Sequence, residues 1–407
     1  MANATSSTVP GHVSADRIFA FDMYADPRLK EDLHTGYASL LRDAPSVFYT
    51  PDNGGHWVIT DYQIAAEILM DYEHFSAREM EIPRVAHPAG LIPLHMDPPA
   101  SLAYRQILMP HFAPKAVRER EEVMRQRAAR LVATVADRGQ CDFVREVSSR
   151  FPVTVFMEMM GLPLERFDEF RAIVDEFFRP VSEERSFQLG LEIKDEMAAL
   201  IEQRRRERRN DLISHLLNAR LEGRELNQQE LESMCFLLVL AGMDTVTNAM
   251  SFAFRALGAD PLLQARLHSR PESMSAFVEE ALRLFGVVVS PRLVAKDCER
   301  YGVSFRRGDM VLCTNPVVGH DAKYNPDPEQ IQLDRSRRTL LPFSIGPHLC
   351  LGHNLARSEF RILMEEWFKR IPRFQLRPDF KPTFRAGFVV ALEALPLEWS
   401  VAGAANG

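Results

Sequence analysis

Apolar and polar residues alternate along the chain with two different periods. Trp57-Val-Ile-Thr60 is a short run of strand formers. The next segment, Tyr62-Gln-Ile-Ala-Ala-Glu-Ile-Leu69, places apolar residues three and four apart and predicts a helix capped by Asp61. From Ser76 to Pro99 the prolines at 83, 88, 93, 98 and 99 forbid a continuous helix and predict a long loop of the kind often used as a lid. From Ala100 to about Gly258 the helical period dominates, with breaks expected near Gly161-Leu-Pro163, Arg179-Pro180 and Leu221-Glu-Gly223. A further helix runs through Arg283, and short strands are predicted over Pro291 to Ala295 and Met310 to Cys313. The turn-rich Gly319 to Arg338 follows, then a last helix from about Leu351 to Ile371 and alternating residues from Phe388 to Trp399 that suit paired strands. The fold class is therefore mainly α with small β-sheets (α+β), a helix-rich region beside a smaller β-rich one. No repeat or linker divides the chain, so one domain over residues 1–407 is expected, with a polar N-terminal tail at about 1–13.

Composition narrows the class. With 407 residues, 46% of them hydrophobic, the chain can bury a substantial core. A net charge of −7 argues against a nucleic-acid partner. The run Arg204-Arg-Arg-Glu-Arg-Arg209 reads as the solvated end of an amphipathic helix, because acidic residues flank it. The first thirteen residues lack the features of a signal peptide, and no uninterrupted apolar run approaches the roughly 20 residues of a membrane span. A soluble cytoplasmic protein is the expectation, with no membrane partner. Cys141, Cys235, Cys298, Cys313 and Cys350 are odd in number and scattered, which fits a reducing compartment without disulfides.

Candidate chemistry concentrates in Leu341-Pro-Phe-Ser-Ile-Gly-Pro-His-Leu-Cys-Leu-Gly-His-Asn-Leu-Ala356, where Cys350 sits in a glycine-punctuated loop just before the last helix. Amide groups at a helix start favour a thiolate, the form that ligates a metal or attacks carbon. Gly346 and Gly352 would let the backbone approach a flat partner, and Phe343 would offer it an aromatic face. On these physical grounds alone, a ligating cysteine and an inert buried one stand about even.

The whole pattern Phe343-x-x-Gly346-x-x-x-Cys350-x-Gly352 resembles the haem-binding signature of the cytochrome P-450 superfamily. That resemblance implies haem b (iron protoporphyrin IX) with Cys350 as the iron ligand, and a monooxygenase that places one atom of dioxygen in its substrate. Two other segments resemble family elements. Glu280-Ala-Leu-Arg283 is similar to the family's Glu-x-x-Arg helix, whose ion pair serves folding and haem retention. Leu237-Leu-Val-Leu-Ala-Gly-Met-Asp-Thr-Val-Thr-Asn248 resembles the oxygen groove, which implies that Asp244 relays protons towards dioxygen and that Thr245 positions the oxygen and a water. The bland alternative for Thr245 is a hydroxyl bonded back to its own helix. By motif position, Arg105, Arg292 and His348 would contact the haem propionates. Ser101 and Ser290 stand where relatives often have a histidine and an aspartate.

The resemblance spans nearly the whole chain and runs closest to the bacterial camphor 5-monooxygenase branch, through Phe21-Asp-Met-Tyr24, Gly54-Gly-His-Trp57, Met96-Asp-Pro-Pro99 and Ala394-Leu-Pro-Leu397 as well. It implies electrons from a two-iron ferredoxin, itself reduced by an NADH-dependent flavin reductase, docking near Arg105. The tyrosine that holds the camphor ketone is missing from His87-Pro-Ala-Gly-Leu-Ile-Pro93, where His87 is a candidate replacement. The implied pocket draws on Leu91, Leu94, Leu237, Leu240, Ala241, Val287, Val288 and Phe388, all apolar. A small apolar terpenoid or norisoprenoid, ionone-like rather than camphor, is the expected substrate. The competing readings are a haem-thiolate peroxygenase or isomerase and a non-catalytic haem-dependent ligand-binding protein. Retention of both Asp244 and Thr245 weighs against each.

Overall fold

The computed structural model describes residues 8–84, 90–178 and 182–401. About 53% of it is helix, with small sheets at one side. Asp61 caps the helix Tyr62–Met70 by accepting from the Ile64 amide at 3.1 Å. The strand before it is His56–Ile59, one residue earlier than the pattern indicated. It pairs antiparallel with Val47–Thr50 and parallel with Met310–Cys313, which in turn pairs with Ser290–Val294 and, beyond that, Phe75–Ser76. These strands are almost continuously buried, which is why they read as apolar runs rather than clean alternation.

The N-terminal segment is not a free tail from residue 8 onward. Val9 and Val13 pack against the apolar cluster beneath the sheet, and His12 Nε2 lies 2.9 Å from Asp309 Oδ2, a carboxylate that also accepts from Trp57 Nε1 at 2.9 Å. Residues 1–7 lie outside the described residues, as does the expected break at Arg179-Pro180.

The helical half carries the core. Pro114–Ala136 packs along His353–Arg370, both touch Arg150–Met160, and Arg150–Met160 in turn packs on Gln228–Met243 and Thr245–Ala259. The break at Gly161 is a left-handed C-cap with φ of +83°, where a Cβ would strike the Asp211 carboxylate. Glu222 and Gly223, both at positive φ, form the turn of a hairpin between Arg220–Leu221 and Arg224–Glu225. Residues 77–84 and 90–99 hold no helix or strand, as the prolines require. In the C-terminal stretch, Ala391–Leu392 pairs with Phe384–Arg385, and Pro396–Glu398 pairs with Gln375–Leu376 and Gln140–Asp142.

One sequence expectation fails. Arg204 is not solvated: it is 1% exposed, donates through Nε to Asp211 and through Nη2 to the Gly161 carbonyl, and so fastens the end of its helix to a helix C-terminus. Only the arginines beyond it face water. The stretch Gln228–Ala259 is long and apolar enough by composition to cross a membrane, although polar residues interrupt it in sequence. In this fold 67% of its most apolar window is buried, as suits a central core helix.

Candidate active site

A cavity of about 1680 Å³ lies between the helix pair Gln228–Met243 and Thr245–Ala259 and the loop that carries Cys350. It exceeds the ~300–1,000 Å³ of an ordinary small-ligand pocket, so it has room for a flat cofactor as well as a substrate. Leu91, Leu94, Leu237, Leu240, Ala241, Val287, Val288 and Phe388 all line it. His87 lies outside the described residues.

The loop is held by its own backbone: the Cys350 amide donates to the Phe343 carbonyl at 2.9 Å, and the Leu349 amide to Gly346 at 3.0 Å. The Cys350 thiol is free and opens on the cavity. The helix begins at His353. Burial pushes the thiol above its ordinary value, and the backbone amides of Gly352 and His353 with the charges of Arg105 and Arg357 pull the other way without overcoming it. The helix start therefore contributes in the expected sense, but desolvation dominates. Cys141, Cys235 and Cys313 are buried thiols pushed up to about 12, and Cys298 is half-buried.

The two glycines differ. Gly352 lines the cavity, and a Cβ there would meet only the Cys350 sulfur, at 3.8 Å, so that face is open to a flat group. Gly346 is a correction to the sequence reading. Its φ is +68° and a Cβ would strike Met70 Sδ at 2.5 Å, so it serves the turn and its packing rather than access to a ligand. Phe343 lines the cavity and has Arg357 stacked 4.7 Å from its ring centre.

Three groups suited to anions converge on one end of the cavity. Arg292 is 1% exposed, donates to the Pro291 carbonyl at 2.7 Å and has no carboxylate partner among the described residues. Arg105 reaches the Leu349 carbonyl. Burial lowers both guanidinium pKa values. His348, whose Nε2 has no partner, is pushed down to about 4 by burial and then by Arg292 and Arg105. Asp97, the acid whose charge acts on His348 and Arg292, is engaged by Ser76 Oγ at 2.6 Å and the Ala77 amide at 2.9 Å. Buried donors without a counter-anion fit a dianionic group such as a pair of carboxylates. Ser101 Oγ is buried and unpartnered, and Ser290 Oγ accepts from Asn315 at 2.8 Å.

On the cavity's flank the core helix breaks at Asp244, whose φ and ψ of −128° and −40° leave the helical region. Thr245 Oγ1 donates to the Ala241 carbonyl at 3.2 Å, so the back-bonded geometry is present while the residue still faces the cavity. Asp244 is 1% exposed, with Arg171 Nη2 3.3 Å from one oxygen and Arg385 Nη2 2.8 Å from the other. Those arginines lie 73 and 141 residues away in sequence, and no local motif announces them. The cavity wall is also less apolar than expected, since Arg385 and the pair Glu81 and His95, 3.2 Å apart, belong to it.

Gly242 closes the groove from behind. A Cβ there would lie 2.4–2.5 Å from three ring atoms of the buried Phe156. Gly242→Ala is therefore expected to destabilise by about 1–3 kcal/mol, as overpacking does. Chemical denaturation checks this, and adding Phe156→Leu should restore part of the loss.

Away from the cavity, Glu280 and Arg283 form the predicted pair with both side chains fully buried, Glu280 Oε2 to Arg283 Nη2 at 2.9 Å. The pair is the centre of a larger network. Arg335 and Arg338 also reach Glu280, and Arg283 donates to the carbonyls of Gly319, Pro328 and Gln330.

The Cytochrome P450 family model matches residues 142–270 and 272–398. A curated protein of Sinorhizobium fredii, described as probable cytochrome P450 127A1, is 30% identical over 97% of this chain and 98% of its own length. The solved structure of CYP101J2 superposes with a TM-score of 0.89 at 33% identity, covering 97% of this chain and all of that one. That of CYP101C1 gives 0.88 at 29% identity, again over 97% of this chain and all of that one. Both belong to the camphor-like branch indicated by the motifs. The chain belongs to the cytochrome P450 family. It is a haem-thiolate monooxygenase with haem b as cofactor and dioxygen as co-substrate.

Proposed function

We propose that this monooxygenase hydroxylates a small terpenoid or norisoprenoid ketone of the ionone type, with electrons from a two-iron ferredoxin and its separate NADH-dependent flavin reductase. The observation that carries the reading is the arrangement of one cavity: a free Cys350 thiol, mainly apolar walls, Thr245 on the flank, and Asp244 buried beside Thr245 outside the lining. Cys350 is the iron ligand, and Arg105, Arg292 and His348 hold the propionates. The haem, once bound, supplies dioxygen activation. Thr245 Oγ1 holds a water and passes a proton when it releases the Ala241 carbonyl. Asp244 would hand on a proton through the lone pair that each oxygen keeps beyond its single arginine contact. The chain works as one cytoplasmic domain.

The docking face for the ferredoxin is the cysteine-loop side. There Arg105 reaches the carbonyl of Leu349, itself 40% exposed, and the exposed Leu102 and Met109 share the helix of Arg105. An apolar patch beside a cation suits an acidic partner steered by charge. The test is reconstitution with a two-iron ferredoxin, reductase, NADH and α-ionone. Hydroxylated product should form at a rate that falls as salt rises. Thr245→Ala should consume NADH as before while releasing mainly peroxide in place of product, because losing the group that passes the proton falls on coupling. Unchanged coupling would remove the role given to Thr245, and turnover with peroxide alone would favour a peroxygenase.

A further inference from the structure

We propose that Arg385 is the polar anchor of the substrate cavity and takes the carbonyl oxygen of a neutral ketone, an assignment that rests on the terpenoid-ketone reading above. Arg385 ends the short strand Phe384–Arg385, three residues before the cavity residue Phe388, and its side chain forms part of the wall. Its Nη2 is taken by Asp244, and the Phe178 ring lies 5.6 Å from the guanidinium carbon. Nε and Nη1 have no acceptor and no contact with water. A buried donor left unmade is costly, and the larger part of the cavity surface is apolar. The other acids near it are engaged: Glu81 by His95, and Asp175 by Arg171. An oxygen brought by the ligand would satisfy one of these donors, since their free N–H groups point to opposite sides, once the guanidinium turns into the cavity.

Charge and shape select which oxygen. Among the described residues, Arg171 and Arg385 face Asp175 and Asp244, so a further carboxylate would be buried beside two acids that already take both of these cations. Both two-pronged faces of a guanidinium use Nη2, which Asp244 already occupies. What remains suits one acceptor atom rather than a carboxylate gripped by both oxygens. A ketone meets both conditions.

Because Arg385 also holds Asp244, turnover would fall in any Arg385 variant for either reason, so binding is the readout. The haem-loaded protein is titrated with α-ionone, with the hydrocarbon of the same skeleton lacking oxygen, and with the carboxylic acid that replaces the methyl ketone, by calorimetry and by the ferric spin-state spectrum. The preference for ketone over hydrocarbon should fall about tenfold or more in Arg385→Met, the expected size for a hydrogen bond to a charged group. Arg385→Lys, which keeps a cation for Asp244 but loses Nε and the fork, should lose a similar factor. The ratio of ratios cancels general changes in the cavity. Equal loss of affinity for ketone and hydrocarbon would overturn the anchor and leave the substrate class standing. Failure of both to bind the wild type would overturn the substrate class and the anchor together. Tighter binding of the acid than of the ketone would overturn the neutral-acceptor assignment.

Discussion

In protein carrying Cys350→Ser, the strongly red-shifted Soret band of the reduced carbon monoxide adduct is expected to vanish, and hydroxylation with it. Serine is close to cysteine in size, and the bonds that shape the loop are backbone bonds, from the Cys350 amide to Phe343 and from the Leu349 amide to Gly346. The fold should therefore survive, and the spectrum should report the ligand alone. A hydroxyl is a harder and weaker donor than a thiolate, so the iron would lose the electron donation that defines this enzyme class. Among the described residues, no other cysteine opens on the cavity. Cys298→Ser, remote from it, should leave the band in place. Persistence of the band in Cys350→Ser would refute the ligand assignment.

Glu280→Ala should be the most damaging substitution for stability. It removes a charged acceptor from Arg283, Arg335 and Arg338 at once, and Arg283 and Arg335 are buried. Breaking a buried ion pair from one side costs about 3–5 kcal/mol, against a native stability of about 5–15 kcal/mol. Low soluble yield or a large fall in the denaturation midpoint is expected, with haem loss following. Glu280→Gln, which keeps an acceptor but not the charge, should lose less. A variant as stable as the parent would show that the network is dispensable.

The same carboxylate predicts an acid limit. Burial alone would raise the Glu280 pKa, but hydrogen bonds from Arg283 and the Gln332 amide, with the charges of Arg283 and Arg335, hold it below the ordinary 4.5. The unfolded chain thus binds this proton more readily than the folded one. The contribution is complete above 4.5 and fades as pH falls through the lower folded value.

How far the sequence could be read depends on whether the signal is local. The cap at Asp61, the helix after Cys350 and the pair Glu280 and Arg283 each lie within a few residues, and all appear close to where the pattern put them. All eight expected pocket residues line one cavity, because motif position fixed them. What failed to show was long-range. Nothing near Asp244 points to Arg171 or Arg385, and nothing near Arg204 points to the Gly161 carbonyl that buries it. Gly346 was misread because a glycine in a loop looks the same whether it admits a ligand or accommodates Met70. The docked Val9 and Val13 were too few apolar residues to stand out from a polar tail.

The parallel pairing of His56–Ile59 with Met310–Cys313 bears on the order of assembly. Arg292 sits on the strand beside Met310–Cys313, opposite Val311, and Val311 lies opposite Trp57. A nascent chain therefore carries an unpaired edge at residues 56–59 until some 250 more residues have been made. Sheet closures over such distances are slow, and open edges invite aggregation. Arg292, His348 and the rest of the cysteine loop come from the last third of the chain. Cofactor capture thus falls at the end of synthesis, and a shortage of haem would leave a nearly complete polypeptide with its central cavity open.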